Sequence, residues 1–453
     1  MQRSLKKIGN TIFGNNIVKD IVTLVSGNVG GYIINFFSLV VIGRVYSQEQ
    51  LGEYELIIST ASIILGICQL ALLMVIMIPE EDSVARRISK IIAYTTGVAT
   101  IVIGLIGLIS YPKIRIIETK SNYVVMVLLF LIYIIAFNIR NIYYSYANRE
   151  KQYKVLFWNP IILAIVNSIV SIVLGIIGYG TMGYLVGTIS GQIVTTLFMA
   201  RKIRPFNSKD TFQELFFTLK QYKEYPLVMM PANFIQSLAN QLPIQSLGRI
   251  FNLSVLGGYT MAIKILNIPI TIVSQAINRI YYRNLVECIH KREDTGKLAY
   301  EFVKNGLIVL SVPMGVLMVF GDFILATLLG EKWRTAGTYI LILGIQYILQ
   351  FCTSCLSGSL VAMGKQKVEL RYGLFKLIWY MLLFMVVAEL GVGVIKTIIM
   401  YTFWACIERI TSLTVTLHYT KSNIVQFLRF LITYLIIIGI SVYGLYWIRV
   451  CIL

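Results

Sequence analysis

Long apolar stretches of this chain carry a small set of polar side chains whose spacing holds them on common helical faces. Asn233, Gln236, Asn240 and Gln241 follow one another at steps of three, four and one, which keeps them on one side of a helix. Asn28, Tyr32 and Asn35 form a sparser version earlier in the chain. Lys264, Asn267, Thr271, Gln275 and Asn278 trace a further stripe, set opposite Ser59, Ser62 and Gln69. A single amide or hydroxyl in such a position bonds a neighbouring helix. The stripes together read as the wall of a water-filled cavity, because lipid does not tolerate them. A cation inside a span costs on the order of 3 kcal/mol on insertion scales, so Lys264 and Arg409 need water, a partner or a ligand. Arg409 has a candidate partner beside it in Glu408, the only acidic residue well inside a predicted span, or one on another helix. Lys264 has no evident acidic partner. It either snorkels to an interface about a turn and a half away or faces an anion. The chemistry these residues can perform is binding: cations for a phosphate or pyrophosphate, amides and aromatics for a neutral polar body. Arg44 and Arg249 sit at equivalent span ends as interfacial anchors, and Arg140 faces either the cavity or headgroups.

The elements that position these residues must lie in a membrane. Of the 453 residues 57% are hydrophobic and 13% charged, and the mean hydropathy is +0.75. Such a chain has too little polar surface for a water-soluble globule. The 40 Lys and Arg against 21 Asp and Glu sit in short clusters between apolar spans, which excludes nucleic acid as a partner and reads as membrane topology. The 6 cysteines lie mostly within spans and read as packing residues, with no metal or cofactor called for. The basic residues Arg3, Lys6, Lys7 and Lys19 precede an apolar run too long for a signal peptide, so the first span is expected to stay attached.

Spans of about twenty residues are predicted at 21–42, 56–78, 88–109, 123–142, 155–177 and 182–200. After a basic, partly amphipathic linker at 201–224 they resume at 225–247, 259–281, 302–320, 338–362, 374–392 and 395–417. A further span at 427–448 is unpaired, and a closing hairpin in 427–453 would add another. An N-terminus in the cytoplasm puts most of the 40 Lys and Arg on the inner side. The external loops are then short, the longest being 110–122 and 321–337, and leave no room for a folded catalytic domain outside.

One unit is used twice. Gly43-Arg44-Val45-Tyr46 with Leu51-Gly52-Glu53-Tyr54 returns as Gly248-Arg249-Ile250-Phe251 with Leu256-Gly257-Gly258-Tyr259, and the same offset carries Asn28 to Asn233 and Asn35 to Asn240. Lys151-Gln152 is echoed by Lys365-Gln366, and Gly178-Tyr179-Gly180 by Gly391-Val392-Gly393. Each half has an even number of spans, so the repeats enter from the same side and are parallel. The predicted fold is an all-α polytopic membrane protein: two parallel six-helix lobes related by a pseudo-two-fold, 12 helices plus one or two C-terminal spans. The expected domains are residues 1–200, the linker 201–224, residues 225–420, and an extra segment 421–453. Pro226, Pro231, Pro243, Pro269 and Pro313 mark places where helices bend.

The Gly43-Arg44 to Tyr54 segment, its copy from Gly248-Arg249 to Tyr259, and the run Tyr259-Thr260-Met261-Ala262-Ile263-Lys264-Ile265-Leu266-Asn267-Ile268-Pro269 resemble the polysaccharide-export flippases of the multidrug, oligosaccharidyl-lipid and polysaccharide exporter superfamily. The resemblance covers nearly the whole chain in span pattern. It implies two facing lobes and movement of an undecaprenyl-pyrophosphate-linked oligosaccharide from the cytoplasmic to the external leaflet of the cell membrane, for capsule, exopolysaccharide or O-antigen assembly. Membrane lipids and the polysaccharide polymerase machinery are the other partners it implies. It also implies that Lys264 contacts the lipid-linked anion. The remaining cavity residues, Asn28, Asn35, Asn233, Gln236, Asn240, Asn267 and Arg409, come from the residue pattern alone. There is no phosphate-cradling glycine-rich loop with Lys and Ser or Thr, so ATP is not expected to drive transport directly. Two alternatives stay open. A cation-coupled multidrug exporter shares the fold and would depend on a buried carboxylate such as Glu408. A membrane-embedded glycosyltransferase or polymerase would need acidic or histidine residues gathered in an external loop, where the only two histidines, His290 and His418, are not expected.

Overall fold

The computed structural model describes residues 15–110, 123–291, 293–363 and 365–452, all built from helices and the turns that join them. Arg3, Lys6 and Lys7 and most of the predicted external loop 110–122 lie outside the described residues. The α-helices run as α1 (Asn15–Val45), α2 (Gln48–Cys68), α3 (Asp82–Ser110), α4 (Tyr123–Arg149), α5 (Tyr153–Ile177), α6 (Gly180–Ala200) and α7 (Phe212–Gln221). They continue as α8 (Met230–Ile250), α9 (Leu253–Lys291), α10 (Thr295–Leu329), α11 (Arg334–Cys355), α12 (Ser359–Ala362), α13 (Gln366–Leu390), α14 (Val394–Tyr419) and α15 (Ile424–Ile452). Twelve of these, all but α7, α8 and α12, are long and apolar enough to cross a membrane. The protein is a multi-pass membrane protein. Side chains such as Val312 at 72% exposure and Ile440 at 67% point outward because their solvent is hydrocarbon. The unpaired C-terminal span is one continuous helix, α15, and no closing hairpin adds a crossing.

The helix α8 corresponds to the predicted span 225–247. Its entrance is a π-turn at Tyr225–Met229 led by Pro226, and Pro243 lies inside it. It falls short of the apolar spans because Asn233, Gln236, Asn240, Gln241 and Gln245 occupy so much of its length. A helix this polar must face protein or water.

The chain forms two compact units. The first holds the described residues up to Tyr46 and Ile57–Ser237, the second Ser47–Leu56 and the residues from Leu238 onward. In the first unit α1 lies against α5 because Gly27 and Gly31 present no side chain there. A Cβ on Gly27 would meet the Phe157 carbonyl oxygen at 2.5 Å, and one on Gly31 would meet Pro160 at 3.1 Å. These small residues one turn apart let two backbones approach where lipid offers no hydrophobic drive for association. Tyr46, at the end of α1, donates its hydroxyl to the Ser171 carbonyl at 2.6 Å and packs its ring on Tyr184 at 5.3 Å.

The connector after α6 is clamped to α3. Asp210 accepts from Arg87 at 3.1 Å and Lys90 at 2.9 Å, and Glu214 takes the other guanidinium nitrogen of Arg87 at 3.0 Å. Thr211 and Glu214 form a reciprocal cap at the start of α7. Leu215 and Leu219 face the core of the unit around Ile88 and Tyr146, while Phe212, Phe216 and Phe217 stay exposed.

In the second unit the repeated Leu-Gly element explains itself. A Cβ on Gly52 would lie 1.8 Å from the Leu253 carbonyl oxygen, and one on Gly257 would lie 1.9 Å from the Gln48 carbonyl oxygen. Each copy of the motif supplies the glycine that admits the first turn of the other's helix. The weaker echo at Gly178 and Gly391 has a physical meaning as well. Both residues close a helix, α5 and α13, in the left-handed conformation, with φ of 99° and 59°. Packing follows the repeat within each unit, α3 on α4, α4 on α6 and α5 on α6 in the first, and α10 on α11, α11 on α14 and α13 on α14 in the second. The last helix is pinned by Arg449, which grips Asp322 of α10 through two bonds of 2.6 and 2.8 Å.

Gly52→Ala and Gly257→Ala are each expected to destabilise the detergent-solubilised protein by about 1–3 kcal/mol, since the added carbon meets backbone. Gly97→Ala in α3, which meets nothing within 4 Å, should be neutral or stabilising by up to about 1 kcal/mol. Thermal melts of the three variants check this ordering.

Burial opposes ionisation of Asp210, but the bonds from Ser208, Lys90 and Arg87 outweigh it and hold its carboxyl below the usual value of 3.8. A depressed carboxyl contributes stability above its unfolded pKa and loses it as pH falls through the folded one. The connector should therefore stay docked on α3 down to about pH 4 and loosen below that. Limited proteolysis at 201–224 across pH should show this transition in the wild type. In Asp210→Asn the connector should be open to cleavage already at neutral pH.

Candidate functional site

A polar cluster in the interior of the second unit is centred on Glu408 in α14, whose side chain has no solvent exposure. Glu408 Oε2 stands 3.2 Å from Arg409 Nε and Oε1 stands 3.8 Å from Lys376 Nζ of α13. The Tyr372 hydroxyl, one turn before Lys376, donates to the same carboxylate and reaches the Glu408 carbonyl at 2.9 Å. Lys376 is 5% exposed and extends to Asn240 Oδ1 of α8 at 2.7 Å. On the other side Arg409 donates to Gln350 Oε1 of α11 at 3.3 Å, and Gln350 donates to Asn267 Oδ1 of α9 at 3.4 Å. One network of charges and amides thus joins α8, α9, α11, α13 and α14. Tyr401 adjoins it from α14, edge-on to Tyr259 at 6.0 Å and packed on Tyr380 at 5.7 Å.

The reason these helices bring the network together is periodicity. Tyr372, Lys376 and Tyr380 fall at steps of four on α13, and Tyr401, Ala405, Glu408 and Arg409 fall at four, three and one on α14, so each set shares a face. A carboxylate buried in such a position is held by charge and by a phenolic donor because hydrocarbon supplies neither.

The residues predicted from sequence divide between the units. Asn240, Asn267 and Arg409 meet in the Glu408 network of the second unit. Lys264 also belongs to the second unit but makes a separate pair with Glu55 at 2.5 Å, with its ammonium 5.7 Å from the Tyr54 ring. Asn28 and Asn35 stand on α1 in the first unit, half-buried and exposed, and Asn233 and Gln236 on the first turns of α8 are exposed and half-buried. The side chain of Gln275 lies outside the described residues.

Two expectations about charge need correction. Lys264 has an acidic partner after all, and Glu408 is not the only carboxylate carried by a span. The cause is the start of α2 at Gln48, well before the predicted span at 56, which draws Glu53 and Glu55 into the helix and buries them to 8% and 14% exposure. Lys376 went unremarked in the sequence pattern, although it falls inside the predicted eleventh span at 374–392. The helix begins at Gln366, so Lys376 lies nearly three turns inside it. The available signal was the step of four that sets Lys376 between Tyr372 and Tyr380. Nothing in the chain order singled out Gln350.

The first unit has a half-buried cation of its own. Arg140 donates to Asn159 Oδ1 of α5 at 3.1 Å and to its neighbour Asn141 at 2.9 Å, and its guanidinium lies 5.7 Å from the Phe137 ring. No carboxylate among the described residues approaches it within salt-bridge distance, and its Nε is buried with no hydrogen-bond partner. Close by in sequence, Gln69 donates to Asn138 at 2.9 Å.

A family model described as "Polysaccharide biosynthesis protein" matches residues 73–338. No curated protein matches the sequence. Among solved structures the lipid II flippase MurJ in an inward closed conformation superposes with a TM-score of 0.69 at 13% identity, covering 95% of this chain and 98% of that one. The MATE transporter VcmN of Vibrio cholerae, as a mutant, gives 0.60 at 15% identity over 90% and 97%. An inward-facing multidrug resistance MATE family transporter gives 0.59 at 16% identity over 88% and 94%. At these identities the likeness is one of fold, and it accounts for nearly the whole chain.

Glu408→Gln would leave the buried Lys376 and the half-buried Arg409 as neighbouring cations without their carboxylate, and is expected to cost on the order of 3–5 kcal/mol. Lys376→Met leaves Glu408 its bonds to Arg409 and Tyr372 and should cost less. Adding Lys376→Met to Glu408→Gln should recover part of the loss. Thermal unfolding of the two single variants and the double variant measures the coupling.

Proposed function

This chain belongs to the polysaccharide biosynthesis protein family, and we propose that within it the protein is a flippase for a sugar chain carried on a prenyl pyrophosphate. The family is the observation that carries this reading. A polysaccharide biosynthesis protein made of membrane-spanning helices acts where its substrate is in the membrane, and a sugar chain resides there only when attached to a lipid. The charges fit such a substrate. In the Glu408 network Lys376 and Arg409 outnumber the single carboxylate, and in the first unit the carbonyl oxygens of Asn159 and Asn141, not a carboxylate, hold Arg140. A pyrophosphate gains charge-assisted hydrogen bonds from guanidinium and ammonium groups. Hydroxyl-rich sugars match the amides of Asn28, Asn35, Asn233 and Gln236, and the prenyl tail remains in lipid.

In this reading the substrate is an undecaprenyl-pyrophosphate-linked repeat unit. It moves from the cytoplasmic to the external leaflet of the cell membrane for capsule, exopolysaccharide or O-antigen assembly, with the N-terminus inside as the basic residues suggest. Residues 1–200 and 225–420 act as the two repeats joined by 201–224, with 421–453 as an added span. Lys264 acts with Glu55 beside it, so its ammonium is offered to the anion only as that pair opens or shares its charge. Polymerising enzymes on the external side would consume the product.

A second reading is cation-coupled drug export, favoured by the placement of Glu408 wholly inside a span. Against it, Glu408 already has Tyr372, Arg409 and Lys376 as partners, and an incoming cation would have to displace two resident ones.

The test is accumulation of lipid-linked sugar in cells lacking this protein, complemented with wild type or with Lys264→Ala. The expected result is a prenyl-pyrophosphate oligosaccharide held on the cytoplasmic leaflet, cleared by wild type and cleared at least about tenfold more slowly by Lys264→Ala, the loss of one charge-assisted contact. Cells that accumulate no such lipid and become drug-sensitive would overturn the flippase reading in favour of export.

A further inference from the structure

A cavity of about 660 Å³ opens in the second unit at the membrane-surface end of α10, where it meets the turn joining α14 to α15. Three lysines line it, Lys297 and Lys304 on α10 and Lys421 in the turn. Asp294 and Glu301 also line it, yet no carboxylate among the described residues comes within salt-bridge distance of any of the three lysines. Asp294 is already engaged, capping α10 by accepting from the backbone of Gly296 at 2.8 Å and of Lys297 at 3.0 Å. The helix end is therefore satisfied, and the attraction of this cavity for an anion comes from side chains.

The cavity is a fixed feature of the fold. A Cβ on Gly296 would sit 2.6 Å from Ser422 Cα, so the start of α10 is seated directly on the turn. Thr295 donates to the Thr420 carbonyl at 2.7 Å, and Tyr300 packs edge-on to Phe427 at 6.3 Å and to Phe430 at 5.6 Å. Lys421 itself has a φ of 56°, a left-handed conformation that glycine adopts at no cost and a lysine does not.

Below the cavity the helix turns from basic to apolar along one line. Lys297, Lys304, Ile308 and Val312 follow at steps of seven, four and four and share a face. Ile308 is 57% and Val312 72% exposed. An anionic head set among lysines, continuous with an exposed apolar track descending into hydrocarbon, matches an amphiphile rather than a free ion.

We propose that this cavity holds the phosphate of an anionic glycerophospholipid, with Lys297, Lys304 and Lys421 on the phosphate, Tyr300 and Phe427 under the glycerol, and an acyl chain along Ile308 and Val312. The site is separate from the Glu408 network and stands whether or not the protein moves a lipid-linked sugar.

The test uses the full chain in phosphatidylcholine nanodiscs doped with photoactivatable phosphatidylglycerol, with labelled residues mapped by mass spectrometry. Labelling is expected to concentrate on residues 297–312 and 421–430. It should fall about fivefold for each Lys→Gln substitution, consistent with the electrostatic contribution of one lysine near a membrane surface, and persist in the Lys→Arg variants. A photoactivatable phosphatidylcholine that labels these residues equally would overturn the proposal, as would labelling unchanged in K297Q/K304Q/K421Q. If millimolar inorganic phosphate displaces the lipid label, the site takes a free anion and the lipid assignment is wrong. Should the triple variant fail to fold, the wild-type map and the comparison of the two lipids still decide.

Discussion

Hydrocarbon offers no hydrogen bonds, so every charge that this chain takes into the membrane must be answered by another part of the chain. Glu408 is where that requirement is most demanding. It is fully buried and is held by Arg409, Lys376 and the Tyr372 hydroxyl, which in turn are held by Asn240 and Gln350. Satisfying one carboxylate therefore recruits five helices of the second unit. A buried ion cluster is weak as a source of stability, because desolvation cancels much of the attraction. Its effect is on geometry, since few arrangements of those helices leave no charge exposed to lipid. The same requirement explains why α8 can be so polar, as its Asn240 is an acceptor for a lysine that has left water.

Close approach of backbones is the complementary device. Helices in lipid are drawn together by packing and not by exclusion of water, so small residues set which pairs touch. Gly27 and Gly31 bring α1 onto α5 in the first unit, and Gly52 and Gly257 interlock the starts of α2 and α9 in the second. At the offset that carries Asn35 to Asn240, Gly27 and Gly31 become Ala232 and Gln236. The repeats have diverged here: α1 packs its backbone tightly on α5, whereas its counterpart α8 is reached by Lys376 of α13 at Asn240.

This divergence bears on function. A protein that moves a large amphiphile needs polar walls for the head and must still present apolar surfaces to lipid, and charge placed on those walls sets the sign of the substrate. Paired charges such as Lys264 with Glu55 contribute little net field. Arg140 and the surplus cation beside Glu408 keep theirs. These are the charges on which the proposed anionic substrate rests.

Hydropathy placed thirteen spans, twelve of which are the long apolar helices and one the polar α8, and the constant offset of the Gly-Arg and Leu-Gly motifs marked a sequence repeat, because span length and helical period are local properties of the chain. Asn240, Asn267 and Arg409 were legible for the same reason, as polar residues on one face of an apolar helix. What the chain order could not give was partnership. The start of α2 lies in a stretch whose glutamates lower its hydropathy, so Glu55 reads as a loop residue, yet packing of α2 against α9 makes it the partner of Lys264. Lys376 drew no notice in the sequence, and only the meeting of α13 with α8 and α14 makes it a buried cation. The lysine cavity at the foot of α10 joins residues far apart in the chain. Composition and period belong to the sequence, whereas the pairing of charges is decided when helices distant in the chain are packed against one another in a medium that leaves them no other partner.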